Sequence, residues 1–267
     1  MLAVVGHTTR DLVDALPPRP GGAPLYAARA LRALGEPGLI VTRCAAQDEA
    51  LLGPLRATGV RVAWRPETAS PTFRLRYQDN VRDVTIEALG EPWLPEDADG
   101  WLGEALAGAD WVHAAALWRG DFPAETLARL ARGRRLSLDG HGLVRPGVLG
   151  PVVHDSAFDP ALLESASVLH LSEDEARALG LELEESAIGA LGVPEIVVTL
   201  GERGSVVYAD GTLEEVPTTP VAGADPTGAG DAFMAGYLAR RRVADPPATA
   251  ARRATALVAA LLAGSAA

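Results

Sequence analysis

Asp225-Pro226-Thr227-Gly228-Ala229-Gly230-Asp231 runs directly into the helical stretch Ala232 to Arg241. Small residues at 228 to 230 let a ligand come close to the backbone. The helix start that follows turns unpaired N–H groups and the positive end of its dipole toward the same point. Such a turn is an anion hole, and Asp231 in the first helical turn sets a carboxylate beside it, where it could take a proton from an attacking hydroxyl. Taken alone, the segment reads equally well as a glycine-rich turn with acids that favour a helix start.

Outward from that turn, short apolar runs alternate with Ala/Leu-rich stretches. Leu2 to Val5, Gly38 to Thr42, Trp111 to Ala115, Arg135 to Asp139, Ser167 to Leu171 and Ile196 to Leu200 read as strands; Tyr26 to Leu34, Glu96 to Ala107 and Ala124 to Ala131 read as helices. This alternation predicts an α/β fold, a mostly parallel sheet with helices on both faces, as one domain over residues 1 to 267. In such folds the ligand crevice lies beyond the carboxyl ends of the strands. One segment breaks the rhythm: Thr72 to Tyr77 and Val81 to Glu87 alternate with a period of two around Gln78, Asp79 and Asn80, which predicts a hairpin. Its Arg74, Arg76 and Arg82 form either a solvated face or the outer side of a small β lid, with the segment from about 11 to 16 as a partner.

Composition narrows the partners. Of 267 residues 48% are hydrophobic and 22% charged, as in an ordinary globular protein, and no apolar run is long enough to cross a membrane. The first residues read as a strand rather than a signal peptide, so a cytoplasmic location is expected. A net charge of −11 disfavours nucleic acid and anionic membranes and favours a small-molecule substrate. Cys44 is the only cysteine, which excludes an intrachain disulfide. All 24 residues counted as Lys+Arg are arginine, which removes Schiff-base chemistry and the P-loop lysine.

Asp225 to Leu238 resembles, position for position, the C-terminal signature of the ribokinase-like (PfkB) carbohydrate kinases. The resemblance implies ATP as phosphoryl donor, Mg²⁺ as cofactor with a monovalent cation in some members, and a sugar or polyol acceptor. It assigns Gly228, Ala229 and Gly230 to the transferring phosphoryl group and Asp231 to the substrate hydroxyl. Three further segments agree in order and spacing. Gly6 followed by Asp11 resembles the family's opening strand and loop, whose acid binds substrate hydroxyls. Gly21-Gly22 resembles its di-glycine on the substrate side. Thr199-Leu200-Gly201-Glu202-Arg203-Gly204 resembles the nucleotide-side loop, which puts Thr199, Gly201 and Gly204 near ATP. Ser172-Glu173-Asp174-Glu175 stands where the family has Asn-x-x-Glu, a motif tied to magnesium and phosphate, and implies a metal-linked role for Glu175. Ser172 and Glu175 also have the spacing of a helix capping box.

Departures bear on the acceptor. Tyr26 replaces the family's Asn after the di-glycine, and its ring suits the C–H face of a cyclic polyol or a nucleobase. Asp139-Gly140-His141-Gly142-Leu143-Val144-Arg145 is similar to the Asp-x-Gln-Gly-x-x-Arg segment of inositol-kinase-like branches, with His141 in place of Gln, and Arg145 is the candidate cation on the substrate side. Asp11 would repel a phosphate dianion, so a neutral polyol or unphosphorylated sugar is expected. A nucleoside or vitamin-precursor kinase, and a silent sugar- or nucleotide-binding module, are the alternatives. A monomer, or a homodimer through the lid, is expected. A dinucleotide-dependent oxidoreductase is disfavoured, because Gly6 stands alone after the first strand.

Overall fold

The structure, a computed structural model, describes residues 1–14, 16–78 and 81–265. The strands are β1 Leu2–His7, β2 Thr9–Val13, β3 Arg19–Gly21, β4 Gly38–Ala45, β5 Arg61–Glu67, β6 Thr72–Gln78, β7 Val81–Ala88, β8 Trp111–Ala114, β9 Arg135–Asp139, β10 Gly150–Pro151, β11 Val168–Ser172, β12 Glu195–Thr199, β13 Ser205–Ala209 and β14 Thr212–Val216. Nine of them form one sheet in the order β14-β13-β12-β11-β9-β8-β1-β4-β5. From β12 to β5 all pairs are parallel, and β13 and β14 add an antiparallel edge.

The central strand β1 is buried along its whole length because each of its faces meets a different layer. Leu2 and Val4 pack with Ile40 and Cys44 under the helices Ala23–Leu34, Ala229–Arg242 and Pro247–Ser265. Ala3 and Val5 pack with Leu39 and Val41 against the opposite layer, which includes Leu102, Leu127 and Ala176. Each fully buried Leu or Val stabilises the fold by roughly 1.5–3 kcal/mol relative to exposure. The expected helix over Glu96 to Ala107 is instead two short ones, Pro95–Asp99 and Trp101–Ala105. Gly100 breaks it: its φ of −107° and ψ of −129° are far from helical.

From β1 the chain passes to β4 and β5 on one side and then returns to β8 on the other. The direction of winding therefore reverses between β1 and β8, which opens a crevice at their carboxyl ends. Over it lies a second sheet in the order β10-β7-β6-β2-β3. Its hairpin β6–β7 is the expected one, and β2 joins it in parallel, Asp11 opposite Phe73. The expected partner segment of about 11 to 16 is shifted: the strand is Thr9–Val13, and β3 and β10 extend the sheet. The tip residues Asp79 and Asn80 lie outside the described residues, as do the side chains of Tyr77, Gln78 and Arg82. Phe73 and Ile86 seal the junction between the sheets against Leu117 and Trp118.

Candidate active site

A cleft of about 760 Å³ follows the carboxyl ends of the central strands. It is lined by Asp11, Gly22, Tyr26, Arg145, Ser172, Glu175, Thr199, Gly201, Gly204, Gly228, Ala229, Gly230 and Asp231, so the structure gathers every site residue expected from sequence except Gly21. Gly21 stands directly behind Asp11: a Cβ there would lie 2.2 Å from Asp11 Oδ2. Thr9 Oγ1 donates to Asp11 Oδ1 at 2.7 Å and fixes the carboxylate against the same glycine.

Gly228 is the N-cap of the helix Ala229–Arg242, with φ +77° in the left-handed region. Its Cα sits on the ring of Tyr26, since a Cβ at this position would fall 2.1 Å from Tyr26 Cγ. Tyr26 therefore presses one part of its ring against the glycine turn, and the Arg29 guanidinium lies 5.7 Å from the ring centroid. Burial and the nearby Asp11 and Asp231 charges push the Tyr26 hydroxyl up to about 12. Apolar surface is supplied by Phe73, Leu75 and Val84 of the second sheet, with Leu117 and Val152 also lining the cleft.

Asp231 is the third helical residue, half-buried at the cleft floor. Burial, and then the charge of Asp139, push its carboxyl up to about 7, while His141, His170 and Arg145 pull the other way. Asp139 closes β9 and is itself buried. Burial alone would raise it, but His141 and His170 hold it well below the usual carboxylate range. Two neighbouring acids are thus driven apart, one ionised and one near neutrality, the pattern expected of acid–base chemistry.

The histidines build that difference. His141 Nδ1 lies 2.8 Å from Asp139 Oδ1, and its Nε2 lies 3.1 Å from Glu175 Oε1. His170 Nδ1 lies 3.0 Å from Asp139 Oδ2, and its Nε2 lies 3.2 Å from Thr199 Oγ1. Thr199 Oγ1 also lies 3.4 Å from Leu171 O. His170 is shifted: burial lowers it, and the Asp139 hydrogen bond and charge raise it above the usual value. His170 was not singled out from sequence. The signal was a lone polar residue in the apolar run Val168 to Leu171, two positions before Ser172 and so on the same side of β11.

Ser172 and Glu175 form the expected capping box, Ser172 Oγ accepting from Glu175 N at 3.3 Å and Glu175 Oε2 accepting from Ser172 N at 2.7 Å. This leaves Glu175 Oε1 for His141 Nε2. Among the described residues Asp139, His141 and Glu175 are a group that could hold a metal ion, with one ligand atom of each within 4.8 Å of the others. Arg145 donates to Leu117 O at 3.2 Å and ties its loop to the cleft wall at Leu117. Gly204, at φ +98°, passes so close to β14 that a Cβ would meet Val216 O at 2.1 Å, a packing reason for glycine there. No helix among the described residues is long and apolar enough to cross a membrane.

Comparison with known proteins follows the same outline. A solved pyrophosphate-dependent kinase in the ribokinase family, complexed with a pyrophosphate analog and myo-inositol, superposes with a TM-score of 0.84 at 24% identity, covering 98% of this chain and 95% of that one. The inositol 3-kinase of Zea mays is 31% identical over 125 residues, 45% of this chain, and the match spans only 31% of that protein's length. The cytidine kinase of Thermococcus kodakarensis is 25% identical over 262 residues, 89% of this chain and 87% of that one. The pfkB family carbohydrate kinase model matches residues 2–266, taking in both the strand before Asp11 and the glycine turn before Asp231, and this chain accordingly belongs to the pfkB family of carbohydrate kinases.

Proposed function

We propose that the protein transfers the γ-phosphoryl group of ATP to one hydroxyl of a neutral cyclic polyol or unphosphorylated sugar. The observation that carries this reading is the position of Asp231, one turn into a helix whose N-terminal glycines form an anion hole, with Asp11 and Arg145 lining the same cleft. The acceptor oxygen attacks the γ-phosphorus as its proton passes to Asp231. The bond from that phosphorus to the bridging oxygen breaks, and ADP leaves. Backbone N–H groups of Gly228 and Gly230 and the helix dipole offset the charge on the phosphoryl oxygens, a contribution that is typically 10²- to 10³-fold per donor, while Ala229 N donates to Pro226 O at 3.0 Å and holds the turn.

Asp139 and Glu175 are oxygen ligands that suit Mg²⁺, directly or through water, and Mg²⁺ when bound would neutralise charge on the donor phosphates. At the donor end Val221, Thr255, Val258 and Ala259 line an apolar stretch of the cleft, which an adenine ring would cover and which pyrophosphate has no use for. At the acceptor end the two acids Asp11 and Asp231 disfavour a sugar phosphate, and with no lysine only arginine could offset it. The apolar side chains Phe73, Leu75 and Val84 suit the C–H face of a ring whose rim hydroxyls reach Asp11 and Asp231. The second sheet then acts as a lid within a single domain.

The test is product formation with ATP or pyrophosphate as donor, with and without K⁺, across myo-inositol, ribose, fructose, fructose 6-phosphate and cytidine. Highest kcat/KM for myo-inositol or a free sugar with ATP is expected. A preference for fructose 6-phosphate overturns the charge argument. A nucleoside acceptor is the second reading, favoured by the near full-length similarity to a cytidine kinase, and highest kcat/KM for cytidine would establish it.

A further inference from the structure

His7, the last residue of β1, is fully buried between two fully buried carboxylates. Its Nδ1 lies 3.1 Å from Glu67 Oε1 and its Nε2 lies 2.9 Å from Asp121 Oδ1. Both ring nitrogens face acceptors, so the ring is an imidazolium that donates twice. The aromatic rings of Trp93 and Trp118 flank it at 5.3 and 6.1 Å, in an apolar setting where each ion depends on the others. Burial would lower the His7 pKa, but the two carboxylates raise it to about 9, in keeping with that protonation.

The second oxygen of each carboxylate holds backbone elsewhere. Glu67 Oε2 accepts from Glu91 N at 2.8 Å, and Asp121 Oδ2 accepts from Leu117 N at 2.9 Å. His7 is where β1 hands over to β2, Glu67 is where β5 leaves the large sheet toward β6, and Glu91 is where the chain returns after β7. Leu117 lines the acceptor end of the cleft. Three of the passages between the two sheets, and the loop that walls the acceptor, therefore converge on one ring.

We infer that the His7 imidazolium, clamped by Glu67 and Asp121, is the pivot that fixes the second sheet over the acceptor end of the cleft, and so is a positioning residue for the acceptor. This inference rests on the kinase reading for its effect on turnover, while its effect on the second sheet does not. No reacting atom touches His7; it acts through Leu117 and the roots of β2, β6 and β7.

The test compares wild type with His7→Gln, and with His7→Gln/Glu67→Gln, which can keep a hydrogen-bonded chain to Asp121 without the imidazolium. Amide exchange is measured on the full chain without ligand. His7→Gln is expected to speed exchange in β6 and β7 by ~10-fold or more while β4 and β11 keep wild-type rates. With ATP and myo-inositol, the KM for myo-inositol should rise by ~10-fold and the KM for ATP should change by less than about twofold. If His7→Gln does not fold, the double variant decides, with the same localised pattern expected. Exchange that rises equally in both sheets, or that stays at wild-type rates in β6 and β7, overturns the inference. If no substrate is turned over, the kinase reading fails and the exchange pattern still decides the pivot.

Discussion

Turnover measured through neutral pH tests the base directly. Burial, with the Asp139 charge next, holds Asp231 at about 7, and only the ionised form can accept the hydroxyl proton. At pH 6 about a tenth of the molecules then carry a competent base, and at pH 8 about nine-tenths. The kcat/KM for the acceptor, which reports the free enzyme, should therefore rise by about tenfold from pH 6 to pH 8 and level off above that. The same shift makes a stability claim. A carboxyl raised above its unfolded value of about 3.9 lends stability that is full below that value and is lost as pH rises through about 7. Asp231→Asn removes the buried charge, so at pH 8 it should unfold at higher urea concentration than wild type, by at most on the order of 4 kcal/mol, while kcat falls by about 10²- to 10⁴-fold. Steady-state kinetics and urea denaturation across pH supply both halves. A kcat/KM that is flat from about pH 6 to 8, or an Asn variant less stable than wild type at pH 8, would refute the assignment of Asp231 as a base held near neutrality.

Gly228→Val should abolish transfer, because the first added carbon already meets Tyr26 Cγ at 2.1 Å in a left-handed backbone; wild-type kcat in that variant would reduce the turn to a linker. Glu175→Gln keeps a residue able to complete the capping box, so the thermal midpoint should hold while the Mg²⁺ concentration for half-maximal activity rises by ~10-fold; an unchanged Mg²⁺ requirement leaves Glu175 as a cap alone. His7, lowered by burial and raised more by Asp121 and Glu67, lends stability that is full below about 6.5 and is lost as pH rises through about 9, worth about 3 kcal/mol. The urea midpoint of wild type should fall between pH 7 and about 9.5, and a midpoint independent of pH there would deny the buried imidazolium.

What sequence conveys depends on how local the cause is. β1 and the first half of β4 are legible because a strand buried on both faces is a near-continuous apolar run, and β8 and β9 because their buried Trp111, Val112, Leu136 and Leu138 dominate short segments. The Ser172–Glu175 box and the Gly228 turn are legible because spacing of three residues, or one glycine, carries the geometry. β5 and β14 are not, since edge strands mix charge with apolar residues: Arg61-Val62-Ala63-Trp64-Arg65 and Thr212-Leu213-Glu214-Glu215 carry no steady signal. The electrostatics are harder still. His170 meets Asp139 across 31 positions, and His7 meets Asp121 across 114, so neither pairing leaves a trace in local pattern. Tyr26 is legible in sequence as unusual after the di-glycine, but its contact with Gly228 depends on how two distant helices cross.

That contact also bears on how acceptor preference can change during evolution or in the laboratory. Tyr26 stands on the helix that starts at the di-glycine, yet it supports the turn that opens the helix of Asp231. On the proposed reading, a substitution at 26 made to admit a new acceptor would also remove the ring that supports the Gly228 turn, so the two effects are coupled. Phe73, Leu75 and Val84 do not support that turn, because they belong to strands that join neither helix, although Phe73 also seals the junction between the sheets. Divergence in substrate range is thus steered toward the second sheet, and saturation libraries at 73, 75 and 84 should yield altered acceptors with transfer intact far more often than libraries at 26.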